Sequence, residues 1–379
     1  MNLIEFGTIS HIKKGKKPLR QVDKSQDGYM PYVDIEAFET GKVKMYTDGE
    51  KCLPCKTGDV LIVCDGSRSG FVGKAIDGYV GSTLAIISAD GMSQEYLYYF
   101  LQGKYALLNT KKKGTGTPHL DANILNQQKL VVPSIDEQKR IVTRIEELFS
   151  ELDNGVETLK KTKQQLAVYR QAVLKNIFDD AKSCETGTIQ SVCQHVVDCP
   201  HSTPKWVDHG RICLRTTNFK RGYLDLSEKN YVREETFDKR NARLVPQPGD
   251  VLYSREGAIL GIACMIPAGL SVCLGQRMML LRTNKKMIAS FLMYYLNSPT
   301  VTSFVNTKIG GSASPHVNVG DIKAFQVPIP SIEMQKDMIE KIESRLSVCD
   351  SIEKTVDTAL QQAEAMRQSI LKKAFEGAL

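Results

Sequence analysis

Two cysteine–histidine pairs lie close together in the sequence and are the first candidates for chemistry. Cys193 and His195 are followed by Cys199 and His201, so four side chains able to bind a metal ion fall within nine positions. Common zinc sites use two separated pairs with other spacings, and the pair at Cys52–Cys55 stands alone. The sequence therefore favours buried thiols and loop histidines over a metal site.

A second candidate is the run Glu137-Gln138-Lys139, which has the acidic–basic spacing found in some nucleases. The corresponding position of a repeat described below is Met334, so we interpret Glu137 as a residue of a helix first turn. The sequence has no phosphate-binding Gly-x-x-x-x-Gly-Lys-Ser/Thr loop. It also lacks an Asn/Asp-Pro-Pro-Tyr run and a glycine-rich strand-to-helix fingerprint. The sequence predicts a chain without a catalytic centre.

The chain contains one stretch of more than forty residues twice, without a gap. Pro133-Ser134-Ile135 recurs 197 positions later as Pro330-Ser331-Ile332, and Arg170-Gln171 recurs as Arg367-Gln368. Each copy starts with a serine suited to a helix N-cap, and apolar residues then recur in alternating steps of three and four. This heptad pattern predicts two long helices that pack against each other in antiparallel order, with Asn154-Gly155 weakening the first midway.

The segments that precede the two helices also match each other. Gly58-Asp59-Val60-Leu61 recurs as Gly249-Asp250-Val251-Leu252, within β-rich runs bounded by glycine and proline. The predicted boundaries follow the order domain, helix, domain, helix: 1–133, 134–182, 183–330 and 331–379. The predicted fold class is α+β, with two similar globular domains of mixed β-sheet and short helices. Two long antiparallel coiled-coil helices join them in a pseudo-two-fold internal repeat.

Composition is typical of a globular protein with a mildly basic balance. The 379 residues carry a formal net charge of +7, which permits a nucleic-acid partner without establishing one. Ten scattered cysteines favour reduced thiols over a disulfide framework. No signal peptide and no apolar run long enough to span a membrane are present, so we expect a cytoplasmic protein without a membrane partner.

At this level the sequence resembles the specificity subunits of type I restriction–modification systems. The motifs that carry the resemblance are the Pro-Ser-Ile-x-x-Gln-Lys start and the Arg-Gln-(Ala/Ser)-(Val/Ile)-Leu-Lys end of each helix. The Gly-Asp-Val-Leu strands and a glycine-rich loop that ends in Thr/Ser-Pro-His complete the set, and all occur twice in the same order. The resemblance implies two target-recognition domains, each reading half of a bipartite DNA site, and two spacer helices.

The resemblance also implies partners and the cofactors that those partners hold. The chain is expected to bind double-stranded DNA and to carry two DNA methyltransferase subunits and two restriction subunits. S-adenosylmethionine is expected in the methyltransferase subunits, ATP and Mg²⁺ in the restriction subunits, and no cofactor in this chain.

Candidate DNA contacts are basic side chains near predicted loops, where they can contact phosphates or base edges. In the first domain they are Lys13, Lys14, Lys16, Lys17, Arg20, Arg68, Lys111, Lys112 and Lys113. In the second domain they are Arg215, Lys220, Arg221, Arg255, Arg277 and Lys308. We expect His119 and His316 to be structural. Trp206 could stack on DNA, although a single tryptophan is more often a core anchor.

An alternative function is a coiled-coil adaptor whose globular domains bind proteins rather than DNA. DNA affinity that falls steeply with salt would distinguish the DNA reader, because phosphate contacts release counterions.

Overall fold

The computed structural model describes residues 3–111, 118–309 and 315–378. The chain separates into two compact units: Met1–Leu159 with Asp357–Leu379, and Lys160–Val356. We use the predicted boundaries to name domain 1 (1–133) and domain 2 (183–330). Each unit therefore contains one domain together with a part of both long helices.

Domain 1 is built mainly from short strands. Its strands are β1 (Ile4–Glu5), β2 (Ser10–Lys14), β3 (Met30–Val33), β4 (Tyr46–Thr47), β5 (Pro54–Cys55), β6 (Val60–Val63), β7 (Val72–Lys74), β8 (Gly78–Val80), β9 (Leu84–Ala89) and β10 (Lys129–Leu130). Its helices are α1 (Ile35–Thr40), α2 (Gln94–Gln102), α3 (Tyr105–Thr110) and α4 (Ala122–Asn126). An antiparallel sheet has the order β2-β9-β6-β7, and a second sheet has the order β4-β3-β8-β5 with β3 parallel to β8.

The second domain follows an N-terminal long helix, α5 (Ile135–Asp179), and repeats this organisation. Its strands are β11 (Thr186–Thr188), β12 (Cys193–Asp198), β13 (Arg211–Leu214), β14 (Phe219–Lys220), β15 (Tyr223–Leu224), β16 (Tyr231–Val232), β17 (Val251–Ser254), β18 (Ala263–Met265), β19 (Val272–Leu274), β20 (Met278–Thr283) and β21 (Gln326–Pro328). Its helices are α6 (Ile189–Val192), α7 (Glu234–Asn241), α8 (Ala289–Leu296), α9 (Pro299–Lys308) and α10 (Val319–Lys323), and α11 (Ile332–Phe375) follows.

Sheet topology confirms the internal repeat that the sequence predicts. The order β12-β20-β17-β18 in domain 2 corresponds to β2-β9-β6-β7 in domain 1. The order β16-β13-β19 corresponds to β4-β3-β8, again with one parallel pair. The terminal pairs β1–β10 and β11–β21 also correspond, so the second domain is a copy of the first with additional segments.

Strand β6, which begins within the Gly-Asp-Val-Leu run, is entirely apolar because hydrophobic side chains pack on both of its faces. In β6, Val60 and Ile62 belong to one core cluster, whereas Leu61 and Val63 belong to another. All four side chains are fully buried. Since successive side chains of a strand point to opposite faces, a strand between two cores needs apolar residues at every position.

The long helices have the two-helix arrangement that the heptads predict. α5 has 45 residues and α11 has 44. Ser134 and Ser331 act as N-caps by accepting hydrogen bonds from the backbone N–H groups of Glu137 and Met334. Asn154-Gly155 does not interrupt α5, because one helical glycine costs only about 1 kcal/mol against the packing of a long helix.

One buried glutamine joins the start of each long helix to its preceding domain. Gln138 accepts a hydrogen bond from the Ser93 N–H (2.8 Å) and donates to the carbonyls of Gly91 (2.6 Å) and Pro133 (3.0 Å). Gln335, at the equivalent position, makes the same three bonds to Ile288, Lys286 and Pro330. Both side chains are fully buried. This clamp accounts for the glutamine in the repeated Pro-Ser-Ile-x-x-Gln motif.

The C-terminal end of each long helix packs, through a phenylalanine, on the domain that does not directly precede that helix. Phe178, near the end of α5, packs on Phe291 and Tyr295 of α8 with ring centroids 5.3 and 5.2 Å apart. Phe375, at the end of α11, packs on Tyr96 and Phe100 of α2 in the same way. Each domain is thus held by the start of one long helix and the end of the other.

Among the described residues, no helix is both long enough and apolar enough to cross a lipid bilayer. Within the same residues, no group of three or more histidine, cysteine or acidic side chains is placed to hold a metal ion. Cys193 and Cys199 are buried, and burial is the main cause that raises the pKa of each thiol.

Candidate nucleic-acid interface

An exposed basic loop joins β2 to β3 in domain 1. Lys13 and Lys14 end β2, and Lys16, Lys17 and Arg20 follow in the loop, all of them exposed. Gly15 allows this path because a Cβ there would lie 2.3 Å from the Gly81 carbonyl oxygen. The loop closes where Val22 pairs with Tyr46. The basic side chains of this loop therefore lie on a segment that is anchored at both ends.

Asp65 connects this loop to two other parts of domain 1. Its carboxylate lies 2.7 Å from the Nζ atom of Lys14 and 2.7 Å from the Nδ1 atom of His119. Burial acts to raise the pKa of Asp65, but the hydrogen bonds from Lys14 and His119 outweigh it and lower that pKa. A backbone bridge also pairs Asp65 with His119. The histidine of the Pro-His motif is therefore held against Asp65 by both its side chain and its backbone.

Arg68 lies on a tight turn between β6 and β7. Gly66 and Gly70 bound this turn with positive φ angles of 104° and 90°, and the buried hydroxyl of Ser69 donates to the Gly66 carbonyl. The Arg68 guanidinium is 4.4 Å from the centre of the Phe71 ring and forms an ion pair with Glu39. Its side chain remains 44% exposed, so DNA could still exchange for the carboxylate.

The lysine run after α3 is described only at its first residue. Lys111 is exposed and directly follows the end of α3. Lys112 and Lys113 lie outside the described residues, and their contact with DNA stays a prediction.

Arg255 has a different setting from the other predicted contacts, because it is buried. Its Nε and Nη2 atoms donate to the two carboxylate oxygens of Asp198 at 2.9 and 3.3 Å. Its side chain is 7% exposed and that of Asp198 is 15% exposed. This geometry suits a positioning role, in which Arg255 fixes the end of β12, better than a direct phosphate contact.

Arg277 lies beside this ion pair and is exposed. Its backbone has a φ of 69°, which residues other than glycine rarely adopt. Its guanidinium is 3.6 Å from the Glu256 carboxylate. Glu256 in turn forms a backbone bridge with His316, as Asp65 does with His119. The two histidines of the Pro-His motifs therefore pair with equivalent acidic positions, which supports the structural role expected for both histidines.

The remaining predicted contacts of domain 2 are spread over its surface. Arg215 lies over the Trp206 ring at 5.7 Å, and Lys220 is 3.8 Å from Asp225. Arg221 donates to the Asn297 carbonyl at 3.2 Å, and burial lowers the pKa of its guanidinium. Lys308, at the end of α9, lies 3.6 Å from Asp321. Two of these cations lie over exposed aromatic rings: Arg215 over Trp206, and Lys308 over Phe304 at 5.5 Å.

Comparison with known proteins gives the family of the chain. A family model described as the type I restriction modification DNA specificity domain matches residues 1–167 and 213–362. The chain belongs to this family. It is therefore a non-catalytic DNA-specificity protein of the type I restriction–modification class.

Individual relatives of this specificity protein share a modest part of its sequence. The MjaVIII specificity subunit of Methanocaldococcus jannaschii is 26% identical over 371 residues, covering 90% of this chain and 85% of the relative. The EcoBI specificity subunit of Escherichia coli is 26% identical over 324 residues, covering 77% of this chain and 67% of the relative.

Two solved structures share the fold. One comes from work on complex assembly and conformational transition of the type I restriction–modification system, with a TM-score of 0.72 and 19% identity. That match covers 100% of this chain and 98% of the other. The HsdS subunit from Thermoanaerobacter tengcongensis also has 19% identity and a TM-score of 0.51, covering 100% and 97% of the two chains.

Proposed function

We propose that this specificity protein binds a bipartite duplex DNA target and that each domain contacts one half of it. The observation that carries the proposal is a repeated framework with different charges at equivalent positions. Lys14 ends β2 opposite the second residue of β9, and Asp198 ends β12 opposite the second residue of β20. Lys14 pairs with Asp65, whereas Asp198 pairs with Arg255. Equal frameworks with different polar groups suit two different half-sites.

The exposed cations supply the general affinity for DNA. Lys13, Lys16, Lys17 and Arg20 are on one anchored loop, and Lys111 follows α3 in the same domain. Such side chains contact phosphates without reading sequence, and each contact releases counterions from the duplex. Base discrimination then requires polar or aromatic groups that reach the groove edges.

We also propose that the chain is a scaffold for two methyltransferase subunits and two restriction subunits. Two exposed apolar side chains support paired docking places: Tyr169 on α5 is 49% exposed, and Met366 on α11 is 55% exposed. They are 197 positions apart, so they are equivalent in the repeat, and one belongs to each compact unit. Exposed apolar groups at equivalent places fit two copies of one partner.

In this assembly the cofactors belong to the partners. S-adenosylmethionine is held by the methyltransferase subunits, ATP and Mg²⁺ by the restriction subunits, and this chain holds none. The assembly acts in the cytoplasm, where the host DNA is.

The experiment that tests the function maps methylated adenines across the genome. One strain carries this chain with its cognate methyltransferase, and a second strain lacks only this chain. We expect a motif of two defined halves around a fixed unspecified gap, present in the first strain and lost in the second. Equal methylation in two strains that both express an active methyltransferase contradicts the proposal.

A further inference from the structure

Domain 2 contains a basic cavity between the loop Cys199–Val207 and helix α7. Its volume is about 760 Å³, a size that accommodates a nucleotide-sized group. One carboxylate, that of Glu235, lines it together with five cationic side chains: Lys205, Arg233, Lys239, Arg240 and Arg243. The excess of positive charge favours an anionic ligand.

Arg240 forms the buried part of this cavity and fixes its shape. Arg240 is 8% exposed, and its guanidinium donates four hydrogen bonds. The acceptors are the carbonyls of Leu274 (2.6 Å), Gly275 (2.9 Å), Ser202 (3.1 Å) and Pro200 (3.3 Å). All four are neutral backbone groups, so these bonds hold the loop in place without cancelling the charge of the guanidinium.

Trp206 supplies an aromatic surface at the rim of the cavity. It is 39% exposed, and the Arg215 guanidinium lies 5.7 Å from the centre of its ring. The structure therefore does not place this tryptophan in the core. An exposed aromatic ring among cations is a combination that can pack against a sugar or wedge at a base step of a duplex while the cations contact phosphates.

The internal repeat links this cavity to the basic loop of domain 1. Val207 pairs with Tyr231 as Val22 pairs with Tyr46, so the loop before each valine occupies the same place. Counted back from the valines, Lys205 corresponds to Arg20 and Trp206 to Gln21. The loop that carries Lys16, Lys17 and Arg20 in domain 1 is thus the counterpart of the cavity loop.

The second wall of the cavity, helix α7, is a feature that domain 2 does not share with the equivalent connection of domain 1 among the described residues. The connection from Tyr231 to Gly249 is six residues longer than the equivalent connection from Tyr46 to Gly58, and it contains α7. No helix of domain 1 occupies that connection among the described residues. Within the described residues, the loop is therefore common to both domains, whereas helix α7, which forms the second wall of the cavity, distinguishes domain 2.

We propose that this cavity is the DNA-contact site of domain 2. Lys205, Lys239 and Arg243 hold the phosphodiester backbone of the half-site, and Trp206 packs against a base or sugar and determines part of the sequence choice. The inference rests on the proposed function, and it assigns one half of the motif to named residues.

The test uses the complex of this chain with its cognate methyltransferase. The variants are W206A and the double variant K205Q/K239Q. The control K285Q/K286Q removes two positive charges from another exposed segment of domain 2. Affinities for a duplex with the mapped motif, and for one with an unrelated sequence, are measured over a series of salt concentrations. An unchanged unfolding transition of each variant shows that it is folded.

We expect K205Q/K239Q to weaken binding to both duplexes and to reduce the slope of log affinity against log salt by about two, roughly one for each phosphate contact. W206A should weaken binding to the motif about fivefold to a hundredfold, and less to the unrelated duplex. In the methylation map, W206A should relax one half of the motif and leave the other half defined.

Two outcomes overturn the inference while the proposed function stands. One is a wild-type bipartite motif that W206A and K205Q/K239Q leave unchanged. The other is saturable binding of ATP or inorganic phosphate, lost in K205Q/K239Q, with an unchanged salt slope for DNA. Failure of the proposed function looks different, because the wild-type complex itself then shows no bipartite motif.

Discussion

The guanidinium of Arg170 on α5 lies 2.7 Å from the carboxylate of Asp350 on α11. The equivalent residues, Arg367 and Asp153, form an ion pair between the same two helices in the other unit. The arginine of the repeated Arg-Gln motif therefore has an interhelical partner in both copies. Because the sequence carries both residues twice at one offset, the antiparallel order reproduces each pair.

We expect this pair to contribute little energy but to show measurable coupling. The Asp350 side chain is 70% exposed, so a double-mutant cycle of R170A and D350A should give about 0.2–1 kcal/mol. R170A should cost more than D350A, because Arg170 also lies 2.9 Å from Glu353. The measurement is urea unfolding at low and high salt, and coupling that does not fall with salt would contradict an ion pair.

Gln138→Leu should destabilise the first unit by about 2–4 kcal/mol. The substitution removes three hydrogen bonds and leaves the Ser93 N–H and the Gly91 carbonyl without their partner at a buried site. The loss of stability is measured by denaturant unfolding and by hydrogen exchange of the α2 amide groups. Lys139→Leu is the control, since that side chain is exposed and adjacent. Equal stability of the two variants would argue against the clamp.

Asp65 should make the stability of domain 1 depend on acid pH. Its pKa in the folded state is lowered, so it contributes stability above its unfolded pKa of about 3.9, and this contribution is lost as pH falls through the folded pKa. Asp65→Asn should therefore be less stable than wild type at neutral pH. The difference should shrink below about pH 4, as denaturation midpoints across that range would show. A constant difference would contradict the assignment.

Arg255→Ala should act first on stability, by about 3 kcal/mol, because it removes the two-bond partner of the partly buried Asp198 carboxylate and leaves that carboxylate with the exposed His201, 2.8 Å away. Asp198→Ala should have a similar effect, although Asp198 was not among the predicted DNA contacts. Thermal unfolding of both variants measures this. If Arg255→Ala folds normally and loses only DNA affinity, Arg255 is a direct contact instead.

Tyr169→Lys and Met366→Lys should each remove one methyltransferase subunit from the complex, and the double variant should remove both. A charge in place of an exposed apolar side chain opposes burial in an interface. Native mass spectrometry gives the stoichiometry. The control Gln165→Lys with Gln362→Lys adds the same charges at exposed polar positions of the same helices. Full assembly by the double variant would exclude this surface as the docking place of the methyltransferase subunits.

The framework was predictable because local signals repeat at constant spacing. Proline, serine and glutamine at each helix start, and glycine before each central strand, have the same structural function in both halves. The sheet order and the paired helices follow from them. Helix α5 runs unbroken through Asn154-Gly155, since a local propensity cost is smaller than the packing that opposes it, and a local weakening there stays a prediction.

The site was less predictable, because its partners are distant in sequence. Arg255 meets Asp198 across 57 positions, and nothing in the local pattern distinguishes a buried arginine from an exposed one. Lys205 was missed as a candidate although it is equivalent to Arg20, since only the Val22 and Val207 bridges align the two loops. The sequence leaves Trp206 between stacking on DNA and anchoring a core, and its loop places it at the surface, 39% exposed.

The docking of Phe375 on α2 also has a consequence for synthesis of the chain. Domain 1 leaves the ribosome well before Phe375, the aromatic residue that covers Tyr96 and Phe100 and follows the domain by more than 200 residues. At about 5–20 residues per second, the wait is tens of seconds. During that time domain 1 exposes an aromatic surface to chaperones and proteases. A chain cut short by a premature stop keeps that surface exposed, so quality control can remove it before it captures a partner.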